Sequence, residues 1–149
     1  MSTDSTLQQD IQKVMRRAFF DAIQHHMDTN PTMAIDWLVQ LHKELAARFS
    51  AVLPSKKIEI LERMDTELFE QQMRAGAYGS EQLGPLIEYT WSLLRIACAP
   101  DMDADVERAY EEVAGALVPG AAFSKVVPLF LQHAHAQIDE ISRRIIQLR

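Results

Sequence analysis

Two pairs of residues in this chain have a spacing that a metal or a proton relay could use: Asp21 with His25, and His135 with Asp139, each four residues apart. On a helix such side chains lie one above the other, so each pair can share an ion or a hydrogen bond. A bound metal needs further donors, and the other histidines are badly placed to supply them. His25 and His26 are adjacent, while His133 and His135 are two apart and point to different sides of a helix. The pairs read as surface hydrogen bonds, and no metal is expected.

Cys98 is the single cysteine and has Arg95 nearby. A thiolate nucleophile needs exposure and a positive neighbour. Cys98 ends the largely apolar run 93–98, where burial as a small hydrophobe is the stronger reading. Ser80, in Tyr78-Gly79-Ser80-Glu81, lacks the second glycine and the strand-to-helix turn of a nucleophile elbow, and reads as a helix N-cap. Gly76, Gly79 and Gly84 are too widely spaced to cradle a phosphate. The residues thus predict no catalytic group and no cofactor, and the chain reads as a non-enzyme.

Positioning any side chain here falls to helices. Apolar residues recur every three or four positions almost throughout, with no sustained alternation, which predicts an all-α compact bundle of about six helices, mostly antiparallel neighbours. The first spans about 6–27, with Leu7, Ile11, Val14, Ala18 and Ala22 as a core stripe widened by Met15, Phe19 and Ile23. Asn30 and Pro31 cap and open the second, whose buried face carries Ala34, Leu38, Leu41, Leu45, Phe49 and Val52. Ser55 is the expected N-cap of a third helix, with Ile58, Leu61, Met64 and Leu68 inward and Gly76 at its end. The fourth becomes regular near Pro85 and places Leu86, Ile87, Thr90, Leu93, Leu94 and Ala97 inward, up to Pro100. Asp101 or Asp103 caps the fifth, with Val106, Ala109, Tyr110, Val113 and Leu117 inward. Pro119-Gly120 lies in a stretch read as a buried turn.

The last helix, about 124–148, holds Val127, Leu131, Ala134, Ile138, Ile141, Ile145 and Leu148 at four-three spacing, the heptad of a coiled-coil seam. Two readings follow. Leu131, Ile138, Ile141, Ile145 and Leu148 form an interface with a second copy, or the stripe docks on the chain's own helices. Phe130 and Ile146 broaden it beyond a two-position seam, and Gln137, Arg144, His135 and Ser142 offer no complementary charge code, which favours docking. Trp37 and Trp91 each adjoin an apolar face, so partial burial is favoured over a role as binding anchors. The acidic sets around Glu59–Glu70 and 101–112 read as solvated faces, with a basic partner as the competing reading.

With 149 residues and 48% hydrophobic content, one domain over 1–149 can bury a core without disulfides. Fifteen basic and 21 acidic residues give a net charge of −6, with the basic doublets scattered, which argues against nucleic acid as a partner. The lone cysteine and the absence of a basic-then-apolar start predict a reducing, cytoplasmic setting. The least charged window, 114–131, is interrupted by Pro119-Gly120 and Pro128 and is no membrane span.

An ordered series runs through these elements. Ala18-Phe19-Phe20-Asp21 comes first, then a leucine-rich helix closed by Leu53-Pro54. Asp65, Leu68, Gln71, Gln72, Gly76, Ala77, Leu83 and Tyr89 follow, then Leu94, Cys98-Ala99-Pro100, Asp103 and Val106, and finally Val127, Leu129 and Phe130. The series resembles the T-complex protein 11 family over about 18–130. On that resemblance the chain is a short, stand-alone version of the family's N-terminal helical part. Phe19, Asp21, Asp65, Gln71, Gln72, Gly76, Cys98, Pro100 and Asp103 are its motif residues, expected to be structural. Met102 stands where the family commonly has arginine, so an anion contact by that arginine is not carried over. The resemblance implies signal transduction, in a cyclic-AMP and protein kinase A context. The resulting expectation is a non-enzymatic module that binds another protein. The alternative is a homo-oligomeric structural protein assembled through the last helix.

Overall fold

Proline, asparagine and aspartate set the corners of the fold, and apolar spacing decides which side of each helix turns inward. The computed structural model describes the backbone of residues 3–148 and the side chains of residues 11 and 13–148, so Leu7 of the expected first stripe lies outside the described side chains. Among the described residues there are seven α-helices: α1 (Thr3–Thr29), α2 (Pro31–Val52), α3 (Lys57–Arg63), α4 (Thr66–Arg74), α5 (Ser80–Ala97), α6 (Asp103–Ala116) and α7 (Phe123–Gln147). The protein is all-α, as the periodicity requires.

Asn30 alone separates α1 from α2; its side chain accepts the Met33 amide N–H at 3.4 Å, and Pro31 opens α2. The expected third helix is split in two. Met64 (φ −107°, ψ 59°) leaves helical geometry and turns its side chain into the core, and Asp65, in extended conformation, accepts the Leu68 N–H at 3.1 Å. An aspartate that satisfies a first-turn amide can start a helix in mid-pattern. The break changes the buried face: Ile60, Met64 and Phe69 are inside, whereas Ile58, Leu61 and Leu68 are exposed. Ser55 does not cap; it lies in a 3-10 turn, Pro54–Lys56, whose neighbour α3 has no side-chain cap.

Gly76 ends α4 with φ +68°, the left-handed conformation that glycine adopts most readily. The Gly76 N–H reaches the Met73 carbonyl and the Ala77 N–H the Gln72 carbonyl, the paired bonds of a Schellman turn. Helix α5 begins at Ser80, earlier than expected, and runs through Pro85. Glu81 and Pro85 are both exposed, so the carbonyl deprived of its partner can face water. Gly79, not Ser80, is the N-cap residue, and its N–H is taken by the Gln82 side chain at 2.8 Å. Asp101 and Asp103 do not cap α6, whose N-cap position is Met102 without a side-chain bond; Asp103 and Asp105 lie inside its first turn, where carboxylates favour the helix dipole. Residues 118–120 are exposed, so the expected buried turn is a surface turn, with Gly120 at φ +83°.

Helix α7 is the axis of the bundle and packs against α1, α2, α5 and α6. Arg16 with Asp139, and the shared lining of Asp21, His25, Ser124 and Lys125, show α1 and α7 running antiparallel. Arg95–Glu107 and Tyr110–Glu88 do the same for α5 and α6. Trp91, Phe49 and Phe130 are the largest buried side chains, and the Trp91 indole N–H donates to the Val106 carbonyl at 2.9 Å. Among the described residues no helix is long and apolar enough to cross a membrane.

Candidate functional site

The nine motif residues fall in three separate places. Phe19 and Asp21 are on α1, with Phe19 against Trp37 of α2 at 5.5 Å between ring centroids and Asp21 exposed. Asp65, Gln71, Gln72 and Gly76 define α4: Asp65 caps it, Gly76 closes it, Gln71 is exposed, and Gln72 lines a cleft. Cys98, Pro100 and Asp103 form the corner between α5 and α6, where the thiol donates to the Asp103 carboxylate at 3.3 Å. Burial, then that hydrogen bond, push the Cys98 thiol above its usual range, the opposite of what a nucleophile needs. Structural work is visible at Asp65, Gly76 and the Cys98–Asp103 bond, and no chemistry is assembled among the nine.

Among the described residues neither histidine–carboxylate pair is joined by a hydrogen bond. His135 bonds not to Asp139 but to the Leu41 carbonyl at 2.8 Å; a carbonyl only accepts, so the ring carries its proton on Nε2. Asp139 instead takes Arg16 of α1 and Arg48 of α2, joining three helices. Among the described residues no group of three or more His, Cys, Asp or Glu side chains could hold a metal.

Sequence reasoning missed His42. It is only 2% exposed, sits between Leu38 and Leu45 on the core face of α2, and bonds through Nδ1 to the Thr66 hydroxyl at 2.8 Å. Its ring stacks on Phe69 (4.4 Å, 16° between planes), and Tyr78 meets Phe69 edge-on at 5.1 Å. Desolvation lowers the His42 pKa to about 4, and burial pushes the Tyr78 hydroxyl up. These aromatics, with Gln72 and Gln82, line an open cleft of about 210 Å³. The signal was present in the i, i+4, i+7 spacing of Leu38, His42 and Leu45, which places the imidazole inside an apolar stripe.

The predicted core stripe of α1 is the largest reversal. Phe20 and Ile23 are buried, while Ile11, Val14, Met15 and Phe19 are 49%, 68%, 65% and 39% exposed. Ala18 is exposed as well, so α1 is apolar on two nearly opposite sides. Only one side can meet α2 and α7, and the bundle uses the one that brings Arg16 onto Asp139.

The stripe of α7 goes the other way. Leu131, Ile138 and Ile141 are buried in the chain's own core and Ile145 packs against it; of the five candidate interface residues only Leu148 is exposed. Pairing with a second copy through Leu131, Ile138 and Ile141 would require unpacking the core. The wide stripe, broadened by Phe130, is what a helix needs when it touches four neighbours.

Fold and surface together define an all-α bundle with one helix apolar on both faces and no assembled catalytic centre among the described residues. The family model of T-complex protein 11 matches residues 1–147. The chain belongs to the T-complex protein 11 family. Neither the comparison with curated proteins nor that with solved structures gives a match.

Proposed function

We propose that the protein is a non-enzymatic helical module that binds another protein through the outward face of α1, and that the occupant is an amphipathic helix with an acidic edge. The carrying observation is the exposure of Ile11, Val14, Met15 and Phe19 on one side of α1 while Phe20 and Ile23 fill the core on the other. Eight residue steps from Ile11 to Phe19 extend about 12 Å, enough for roughly two turns of a partner helix to lie along it. Contiguous apolar surface of this kind is costly to leave in water and marks an interaction face.

Charge argues for the partner's edge. Lys13 and Arg17 are exposed one turn apart on the flank of Val14, with Asp21 exposed a turn further along. In a chain of net charge −6 that basic flank favours an acidic complement. The signal-transduction setting, with its cyclic-AMP and protein kinase A context, is supported by the family resemblance; unchanged cyclic-AMP responses after deletion of the protein would remove it.

The test compares tagged wild-type protein with a Val14→Glu/Met15→Glu variant in pull-downs from the host's lysate, followed by titration of the captured partner's helix as a synthetic peptide. Binding should weaken at least about tenfold in the variant, equivalent to roughly 1.4 kcal/mol. Equal binding by both proteins would sink the reading. Recovery of the protein's own copies alone would replace it with self-assembly.

A further inference from the structure

Helix α4 lies along α2 with a single buried side chain of its own. Phe69 is its one buried residue, and that ring lies flat on His42 of α2, whose Nδ1 bonds to Thr66 at the start of α4. At the far end Arg74 pairs with Asp36 of α2, but both are substantially exposed, where such a pair contributes little. Met73 is half-buried. The buried part of the α2–α4 contact therefore converges on one imidazole.

We propose that α4 is an acid-released latch: neutral His42 holds it on α2, and protonation of His42 frees α4 while the rest of the bundle stays folded. This is independent of the α1 binding face. A charged imidazole stacked on phenylalanine and 2% exposed loses its hydration without a full set of replacements.

The groups facing His42 do not reverse this. Asp65, in the α3–α4 link, favours the charged ring, whereas His135 of α7 opposes it. Glu62 and Arg63 of α3 carry opposite charges beside the same cleft, and Tyr78 and Gln82 present uncharged groups. His135 is itself buried, with Asp139 and Glu44 favouring its charged form and Arg48 opposing it, and burial again dominates. Desolvation outweighs Asp65 and leaves His42 neutral down to about pH 4.

An exposed imidazole titrates near pH 6.5, well above the docked ring's pKa of about 4, so between these values the released state binds the proton and the docked state does not. Acid therefore favours release, and the opening equilibrium of α4 should rise about 20-fold between pH 7 and pH 5. Release uncovers Phe69 and opens the wall of the cleft that Tyr78 and Gln82 line.

Native-state hydrogen exchange of the full chain at pH 7, 6 and 5, corrected for intrinsic exchange, tests this. Amides of Thr66–Arg74 should lose about 20-fold protection and exchange faster than those of α2, α5 and α7 at every pH, because α4 opens before the whole bundle does. His42→Gln keeps a polar partner for Thr66 without titrating, and His42→Phe keeps the stack; either variant that folds should show a flat pH response in α4. Unchanged α4 protection in the wild type, α4 amides as protected as those of α2, α5 and α7 throughout, or the same acid response in a folded variant would each overturn the latch.

Discussion

Glutamate at both Val14 and Met15 should leave the protein's stability almost untouched, whereas alanine at Ile23, on the same helix, should damage it. Val14 and Met15 are 68% and 65% exposed, so little is lost when they become polar, and glutamate favours helix slightly over valine. Exposed substitutions of this kind change stability by about 0.5 kcal/mol or less each. Ile23 is fully buried between α1 and its neighbours, where Ile→Ala removes transfer energy and leaves a cavity, at a cost of about 2–5 kcal/mol. Urea unfolding followed by circular dichroism reads both, since the midpoint moves while the slope stays constant if only the native contacts changed. A loss above about 1.5 kcal/mol in the double variant would mean that the outward face of α1 is covered in the folded protein, and would refute the two-faced reading of this helix. An Ile23→Ala variant as stable as the wild type would do the same from the other side.

Asp139→Asn should weaken the seam among α1, α2 and α7 by about 1–2 kcal/mol, because two arginines lose one partly exposed acceptor; equal thermal midpoints for variant and wild type would show the cluster to be ornamental. Trp91→Phe should cost about 2–3 kcal/mol through lost volume and a lost hydrogen bond to the Val106 carbonyl, measured by chemical unfolding, with no cost contradicting the packing described. Cys98 should react with a thiol reagent at pH 7 more slowly than free cysteine, since burial and Asp103 hold its proton; labelling as fast as glutathione would show the thiol to be free.

The periodicity of apolar residues determined that the chain folds as helices, and Asn30 with Pro31, Gly76 and Pro100 determined three of the corners, because capping and backbone restriction act within a few residues. The family was equally legible, since an ordered series of residue types is a property of sequence and the family match spans residues 1–147. The break at Met64–Asp65 was written there too, but a continuous apolar spacing hid it. Tertiary structure alone decided which face of α1 turns inward, because the helix is apolar on both sides and only the meeting of Arg16 with Asp139 and of Phe20 and Ile23 with the core breaks the tie. It also decided that the α7 stripe is used at home, since a heptad states that a helix wants a partner and says nothing of whose chain supplies it. The stacking of His42 on Phe69 was likewise beyond local reading: the two residues are 27 positions apart, and packing against α4 is what desolvates the ring and depresses its pKa.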